Sequence, residues 1–574
     1  LNTNVVTELT AVLRAAIVKT LGPEFAQTDP MLRRSTHADF QANCALALQK
    51  LTKENPRALA TKIVANLDAP SVLERVEIAG PGFLNIHLRA DFLASALAAQ
   101  LADERAGVAL SPAPEVVVID YSSPNAAKEM HVGHLRSTVI GDALHRVLAF
   151  RGHRVVPQNH LGDWGTPFGM LIEHLLDSDA DGTTDTAALN SFYKQARAKF
   201  DSSPEFAERA RRRVVLLQAG DAETLASWRR LIDESKLYMR GIYARLGVLL
   251  KDEDICGESF FNPALAPLAQ ELEERGLASI NEGALCMYPP GFVNREGNPM
   301  ALMLRKQDGG FGYGATDVAA LRYRVEKLGG TRLLYVVGSP QSQHLAMIFK
   351  AGELAGYMGG ARAEHVQFGS VLGADGKMFK TREGETVRLS ALLAEGEERA
   401  KATVLAKAAE REEAPADVDG AAHSIAIAAI KYADLSSDRI KDYVFDWDRM
   451  LAATGNTGPY LQYAYARTQS ILRKADAPFE SAPILLNEPA ERALALTLLA
   501  FSEAVIDVEG SLEPHRLCTY LYELASVTST FLTACPVLKA EPEIRASRLA
   551  LCKLSGQVLQ RGLELLGITA IERM

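Results

Sequence analysis

Residues 122–136 read SSPNAAKEMHVGHLR, directly behind the apolar run EVVVIDY at 115–121. They gather Lys128, His131, Gly133 and His134 at the mouth of a helical pattern. A helix N-terminus presents unpaired N–H groups and the positive end of its dipole, so an anion docks there readily, especially after a strand of an α/β fold. His131 and His134 can donate hydrogen bonds to phosphate oxygens, and Lys128 adds a full charge. Gly133 removes a side chain where a flat group would lie close to the backbone. The set suits a nucleoside triphosphate held by its phosphates. Taken by itself, H-x-x-H also fits two structural histidines or a pair of metal ligands, but no third Cys, His or carboxylate stands nearby at a ligand spacing. Neither a Walker A pattern nor G-x-G-x-x-G follows the run, and the Gly-rich DGGFGYGATD at 308–317 has the wrong spacing for a dinucleotide fingerprint.

The elements that must carry these residues follow from the apolar pattern. EVVVIDY is a short β-branched run, the mark of a buried parallel strand. Leu135, Val139, Ile140, Ala143, Leu144, Val147 and Leu148 recur at helical spacing, and Gly152 stands where a C′ glycine would end that helix. HRVVPQN is the next strand, completing a βαβ unit whose crossover is expected to be right-handed. Residues 175–250 are charged and helical, an insertion between two halves of an α/β domain. Strand signals return in ALMLRK at 301–306 and RLLYVVGS at 332–339, and beyond about 390 only helical patterns remain, as in a helical bundle. Residues 1–110 alternate helical and strand-like segments and close on the linker-like ALSPAPE. The predicted architecture is α/β and multidomain: an α+β domain at 1–110, a Rossmann-like parallel-sheet domain at 111–390, a helical connecting region at 391–450 and an all-α bundle at 451–574.

Bulk properties set the limits. A chain of 574 residues needs several cores, and 48% apolar with 23% charged residues is ordinary for a soluble globular protein. No apolar run approaches the roughly 18 residues that span a bilayer, and the opening LNTNVVTELT does not read as a signal peptide. Cysteines at 44, 256, 286, 518, 535 and 552 form no C-x-x-C pair, so free thiols in a reducing cytoplasm are expected. A net charge of −9 argues against non-specific coating of nucleic acid but permits a local basic surface, for which ERARRR at 208–213 is a candidate alongside its plainer reading as a solvated helix face.

His-Val-Gly-His resembles the HIGH signature of class I aminoacyl-tRNA synthetases. The longer strings DYSSPNAAKEMHVGHLRSTVIGDAL, NHLGDWGTPFGML, GYGATDVAALRYR, YVVGSPQSQH, GKMFKTREGETVRL, GNTGPYLQYAYAR and LLGITAIERM resemble the arginyl-tRNA synthetase family in order along nearly the whole chain. The family's lysine loop, K-M-S-K-S, stands here as Lys377, Met378, Phe379, Lys380 and Thr381; both lysines and the methionine match, whereas Phe379 and Thr381 depart from the pattern.

The resemblance implies ligation of L-arginine to its cognate tRNA through an arginyl-adenylate, with AMP and pyrophosphate released. ATP would be held by His131, Gly133, His134, Lys377, Met378 and Lys380, with Lys128 sharing the load of the lysine loop. His131, His134, Lys128, Lys377 and Lys380 would be the catalytic set. Asn125 and His131 would meet the α-amino and carboxylate end of arginine, Tyr313 and Asp317 the guanidinium, Glu258 would be a second acid, and Gln341 would complete the site. Taken residue by residue, Asp317 could serve only a helix start, Tyr313 only packing and Glu258 only the surface. Mg²⁺ would accompany ATP with no protein ligand assigned. The helical C-terminal region would bind the anticodon arm through Tyr460, Tyr463 and Arg467, on a segment that also carries Gln462 and Tyr465, and the N-terminal domain would touch the corner of the tRNA. Binding of tRNA would precede activation. A cytoplasmic monomer acting on tRNA, with neither DNA nor membrane as partner, is the expectation. The alternatives are a non-catalytic tRNA-binding relative of the same fold and, more remotely, a nucleotidyltransferase.

Overall fold

The computed structural model describes residues 4–178, 186–379, 386–411, 417–475 and 482–573. The run at 115–121 forms the strand Val116–Asp120, with Val117, Val118 and Ile119 at most 1% exposed. It lies inside a four-stranded sheet in the spatial order Arg362–His365, Arg332–Tyr335, Val116–Asp120, Arg154–Gln158. All three pairings are parallel. From Val116–Asp120 the chain passes first to the strand on one side, Arg154–Gln158, and later to the strand on the other, Arg332–Tyr335. Such a reversal opens a crevice at the carboxyl ends of the two central strands, where ligands of open α/β sheets bind.

The helix after the first strand runs Val132–Phe150. Gly141 lets it press on the sheet, since a Cβ there would lie 2.3 Å from the Tyr121 Cβ. Gly152, at φ +90°, ends it: the N–H of His153 reaches the Leu148 carbonyl and that of Gly152 reaches Ala149, a Schellman closure. The insertion comprises Thr166–Asp177, Thr186–Ser202, Pro204–Ala219 and Ala222–Leu246. In its basic run, Arg209 and Arg213 pair with Glu173, while Arg211 and Arg212 pair with Glu208.

The N-terminal unit packs helices against an antiparallel sheet in the order Leu32–Arg34, Phe40–Ala42, Phe83–Leu88, Leu73–Ala79, with its own core. A smaller antiparallel sheet of Ala278–Asn281, Ala284–Met287 and Leu302–Arg305 flanks the crevice. Helices dominate from Leu389 onward. One pairing there has no signature in the sequence: Val371–Leu372 runs parallel to Tyr443–Val444, tying the root of the lysine loop to the helical region. The six cysteines are buried and free. Among the described residues no helix is long and apolar enough to cross a membrane.

Two buried ion pairs dock the Val132–Phe150 helix on Val418–Leu435. Arg136 Nε lies 3.3 Å from Asp434 Oδ2, and Arg136 Nη1 donates to the Lys441 carbonyl at 2.9 Å. One and a half turns on, Lys431 Nζ is 3.6 Å from Asp142 Oδ2 and donates to the carbonyls of Leu246 and Gly567. Catalytic sheet, insertion and C-terminal helices thus meet on one helix. Removing one partner leaves the other charge buried and unpaired, which costs about 3–5 kcal/mol. Asp434→Ala is therefore expected to lower the unfolding free energy by about that amount in denaturant titrations; an unchanged midpoint would contradict it.

Candidate active site

His131 caps the Val132–Phe150 helix from extended backbone, φ −121° and ψ 172°. The Gly133 N–H donates to His131 Nδ1 at 3.1 Å, and the His131 N–H donates to His134 Nδ1 at 3.0 Å. Both Nδ1 atoms are acceptors, so each neutral ring carries its proton on Nε2. The rings lie 3.9 Å apart. Burial, then Lys128, pushes the His131 pKa down. Burial, then His131 and Lys128, pushes His134 down to about 3. The pair offers two neutral N–H donors at physiological pH. Gly133 is needed by His131 itself: a Cβ there would come within 2.8 Å of the His131 Cε1. The imidazole takes up part of the room it clears.

The loop before the motif is strained. Ser122, Ser123 and Ala127 all have positive φ, at 70°, 45° and 60°, each costing about 1–3 kcal/mol. Their surroundings hold them there. The Ser122 N–H donates to Ser137 Oγ and the Ser123 N–H to Asn159 Oδ1. Ser122 Oγ bonds Tyr243, and the Ala127 N–H donates to Ser235. Tyr243 and Ser235 belong to the insertion helix Ala222–Leu246, so the insertion braces the loop before the histidine pair.

The acidic end lies along the same crevice. The helix Tyr313–Glu326 begins at Tyr313 with Gly312 as N-cap, so Asp317 stands in its second turn and does not open it. Asp317 Oδ2 is 2.6 Å from His344 Nε2, and its Oδ1 is 3.9 Å from His160 Nε2. Glu258 starts the helix Glu258–Glu274. Burial, then Asp163 and Asp317, raises its pKa to about 8. Asp163 is fixed by the N–H and hydroxyl of Ser259 at 2.8 and 2.6 Å. Desolvation, then Glu258 and Asp317, raises the Tyr313 phenol, although its side chain is 71% exposed. Loop 159–163 joins the two ends. The His160 N–H donates to Ser123 Oγ at 3.0 Å, and Asn125 pairs with Gly162, where a Cβ would meet Asn125 Oδ1 at 2.2 Å.

Of the other sequence-derived candidates, Lys128 sets its Nζ 4.4 Å from the Tyr193 ring and is close enough to both histidines to lower their pKa values. Lys377 lies in a tight turn, its carbonyl accepting from Gly373 and its N–H donating to Asp375. Met378 is exposed, and Phe379 stacks on Phe445 with centroids 4.8 Å apart. Lys380 lies outside the described residues. Past that stretch the Val387 carbonyl accepts from the Val132 N–H, so the lysine loop is rooted beside His131. Gln341 is exposed at the end of the Ser339–Gln341 turn. Tyr463 is partly exposed, Tyr460 leans on Tyr522, and Arg467 donates to Ser529. Gln462 and Tyr465 are buried. Asp120, Ser123, His160, Asp163, Arg324 and His344 were missed as site residues. The available signal was that all six fall inside the resembling strings: Asp120 and Ser123 in DYSSPN, His160 and Asp163 in NHLGDWG, Arg324 in GYGATDVAALRYR and His344 in SPQSQH.

The parallel sheet with its switch-point crevice, the imidazole pair at a helix start and the nearby lysine loop define a class I aminoacyl-tRNA synthetase fold and site. The family model for tRNA synthetases class I (R), catalytic domain, matches residues 96–447. The DALR anticodon binding domain matches 461–574, and the arginyl tRNA synthetase N-terminal domain matches 7–88. The arginine–tRNA ligase of Thermobifida fusca is 53% identical over 98% of this chain and 98% of its own. That of Frankia casuarinae is 50% identical, over 100% of this chain and 99% of its own. The crystal structure of arginyl-tRNA synthetase from Plasmodium falciparum superposes with a TM-score of 0.85 at 30% identity, covering 100% of this chain and 99% of the other. The chain belongs to the arginyl-tRNA synthetase family.

The imidazole assignment is directly measurable. In nitrogen-15 histidine spectra, His131 and His134 are expected as Nε2–H tautomers, with His134 showing no titration between about pH 5 and 8. An imidazolium signal from His134 in that range would contradict the assignment.

Proposed function

We propose that the histidine pair and the lysine loop grip ATP while Asp317, Glu258 and Tyr313 take the guanidinium of arginine. The chain is an arginine–tRNA ligase, and these roles divide its reaction between the two ends of the crevice. The observation that carries the division is the loop 159–163, which places His160 against both Ser123 and Asp317.

In the first step an arginine carboxylate oxygen attacks the α-phosphorus of ATP in line. The bond to the β-phosphate oxygen breaks, leaving arginyl-adenylate and pyrophosphate. In the second step a terminal ribose hydroxyl of tRNA attacks the activated carbonyl, its proton is lost, and AMP leaves. No covalent enzyme intermediate is needed, so the protein positions reactants and stabilises charge. Neutral Nε2–H donors suit the α-phosphate region because they hold oxygens without the desolvation cost of a buried cation. The lysines Lys128, Lys377 and Lys380 offset charge building on the pyrophosphate. Asn125, with His131, meets the α-amino and carboxylate end, and Gln341 completes the amino-acid site from the Ser339–Gln341 turn. Mg²⁺ travels with ATP: among the described residues no cluster of three or more His, Cys, Asp or Glu forms a metal site.

Arginine is a permanently charged planar fork of five donors. A lysine in its place would leave part of the acidic site unpaired, and such sites reject the wrong analogue by roughly 10⁴–10⁵. Tyr460, Tyr463 and Arg467 are the proposed contacts of the C-terminal helices with tRNA, Tyr463 being the most open of the three tyrosines at 460, 463 and 465. The proposed enzyme acts as a monomer in the cytoplasm.

ATP–pyrophosphate exchange with all twenty amino acids, with and without tRNA, tests the reading: exchange with arginine alone is expected, and exchange with another amino acid would overturn it. Asp317→Asn is expected to raise the arginine KM about tenfold or more with little change for ATP; unchanged arginine kinetics would remove it from the pocket. His134→Ala is expected to slow exchange by about 10²–10³ while tRNA affinity is retained, and exchange at the wild-type rate would end its phosphate role.

A further inference from the structure

The Asp317 carboxylate stands between two imidazoles that no part of the reaction described above employs. His344, near the start of the helix Ser342–Leu354, reaches Oδ2 at 2.6 Å. His160 faces Oδ1 at 3.9 Å, beyond hydrogen-bond range. One carboxylate oxygen is therefore engaged and the other is left free. Both partners of the short contact are sheltered, with side chains 32% and 27% exposed. Each carboxylate oxygen has two lone-pair sites, so Oδ2 can accept from His344 and still meet one arm of a fork. An unpinned carboxylate would turn about its terminal torsion.

We propose that His344 is a positioning residue for arginine selection, pinning Asp317 by donating to Oδ2 and admitting the guanidinium only while its own ring is neutral. This rests on the reading that Asp317 takes the guanidinium. A protonated His344 would place a second cation against the incoming one. The hydrogen bond to Asp317 raises the His344 pKa above its ordinary value, against the opposing effect of burial. Arginine, by sharing the charge of Asp317, would lower it again. Binding thus expels a proton below the pKa of the free enzyme, and by linkage arginine binds more weakly as pH falls through it.

The other titratable groups facing this point are Glu258 and Tyr313 from the two helix starts, His160 and Asp163 from the connecting loop, and Tyr335, beside Arg324, from the sheet. Glu258, raised to about 8, is neutral below that value and charged above it, so its protonation also weakens arginine binding as pH falls. The two limbs are separable by substitution: Glu258→Gln removes the carboxyl limb and His344→Gln the imidazole limb.

The test is aminoacylation by the full chain with tRNA, reading kcat and the KM values of arginine and ATP from about pH 5.5 to 8.5. His344→Ala is expected to raise the arginine KM about tenfold at pH 8 with kcat and the ATP KM nearly unchanged. His344→Gln, whose amide keeps a neutral donor near the Nε2 position, is expected to restore the arginine KM at pH 8 and to lose the imidazole limb. Asp317→Asn runs in parallel. If it raises the arginine KM while His344→Ala leaves it unchanged, or if His344→Gln keeps the imidazole limb, the role of His344 is overturned and the pocket stands. An unchanged arginine KM in Asp317→Asn overturns the pocket itself. A fall in kcat together with a rise in both KM values in His344→Ala and His344→Gln marks a merely structural residue and also overturns the proposal.

Discussion

The site hangs on one buried ion pair. Arg324 Nη2 donates to Asp120 Oδ2 at 2.7 Å, joining the Tyr313–Glu326 helix to the end of the strand Val116–Asp120. Burial alone would raise the Asp120 carboxyl, and Arg324, with His160 and Ser123, more than offsets it, holding the group below its ordinary range. Asp120 also accepts from Ser123 Oγ, whose oxygen accepts from the His160 N–H. Arg324 lies seven residues, about two turns, beyond Asp317 on one helix face. The pair therefore fixes the loop before the histidine motif, the connecting loop and Asp317 relative to one another. Buried pairs add little net stability over an apolar alternative, but they are exacting about geometry, and geometry is what two reactants in one crevice require.

The two ends of the crevice use opposite electrostatics. At the histidine end burial removes charge, leaving His131 and His134 as neutral donors with Lys128 close by. At the acidic end burial, and then the neighbouring Asp163 and Asp317, raises Glu258 to about 8. On the proposed reading, an arriving guanidinium would relieve that crowding. The strain at Ser122 and Ala127 is held by Tyr243 and Ser235 of the insertion, which gives that helical segment a part in shaping the loop before the histidine motif.

Much of the fold was readable because burial writes itself into residue order. The β-branched run at 115–121 had one solution, and the apolar spacing that follows it had another, ended by Gly152. The C-terminal helices were equally plain. The two-residue pairing of 371–372 with 443–444 was not, since so short an element has no period to detect. The start of the helix at Tyr313 was also missed. Gly312 and Gly314 look like loop residues, yet Gly314 packs where a Cβ would meet the Met303 carbonyl at 2.6 Å. Within the site, the residues of the histidine motif and the acid at 317 stood out by type and by resemblance. His160, Asp163 and His344 did not, because their meaning lies in contacts made across 27 to 157 positions of chain with Asp317 and Ser259. Tyr463 and Tyr465 were indistinguishable in the sequence; the turn of the helix exposes the first and buries the second.

The most direct measurement is a crystal structure of the chain with a non-hydrolysable arginyl-adenylate analogue. The account predicts the phosphoryl mimic within hydrogen-bond distance of His131 and His134 Nε2 and the guanidinium on Asp317. A guanidinium seated away from Asp317, or an adenylate group outside the crevice between the two central strands, would contradict it.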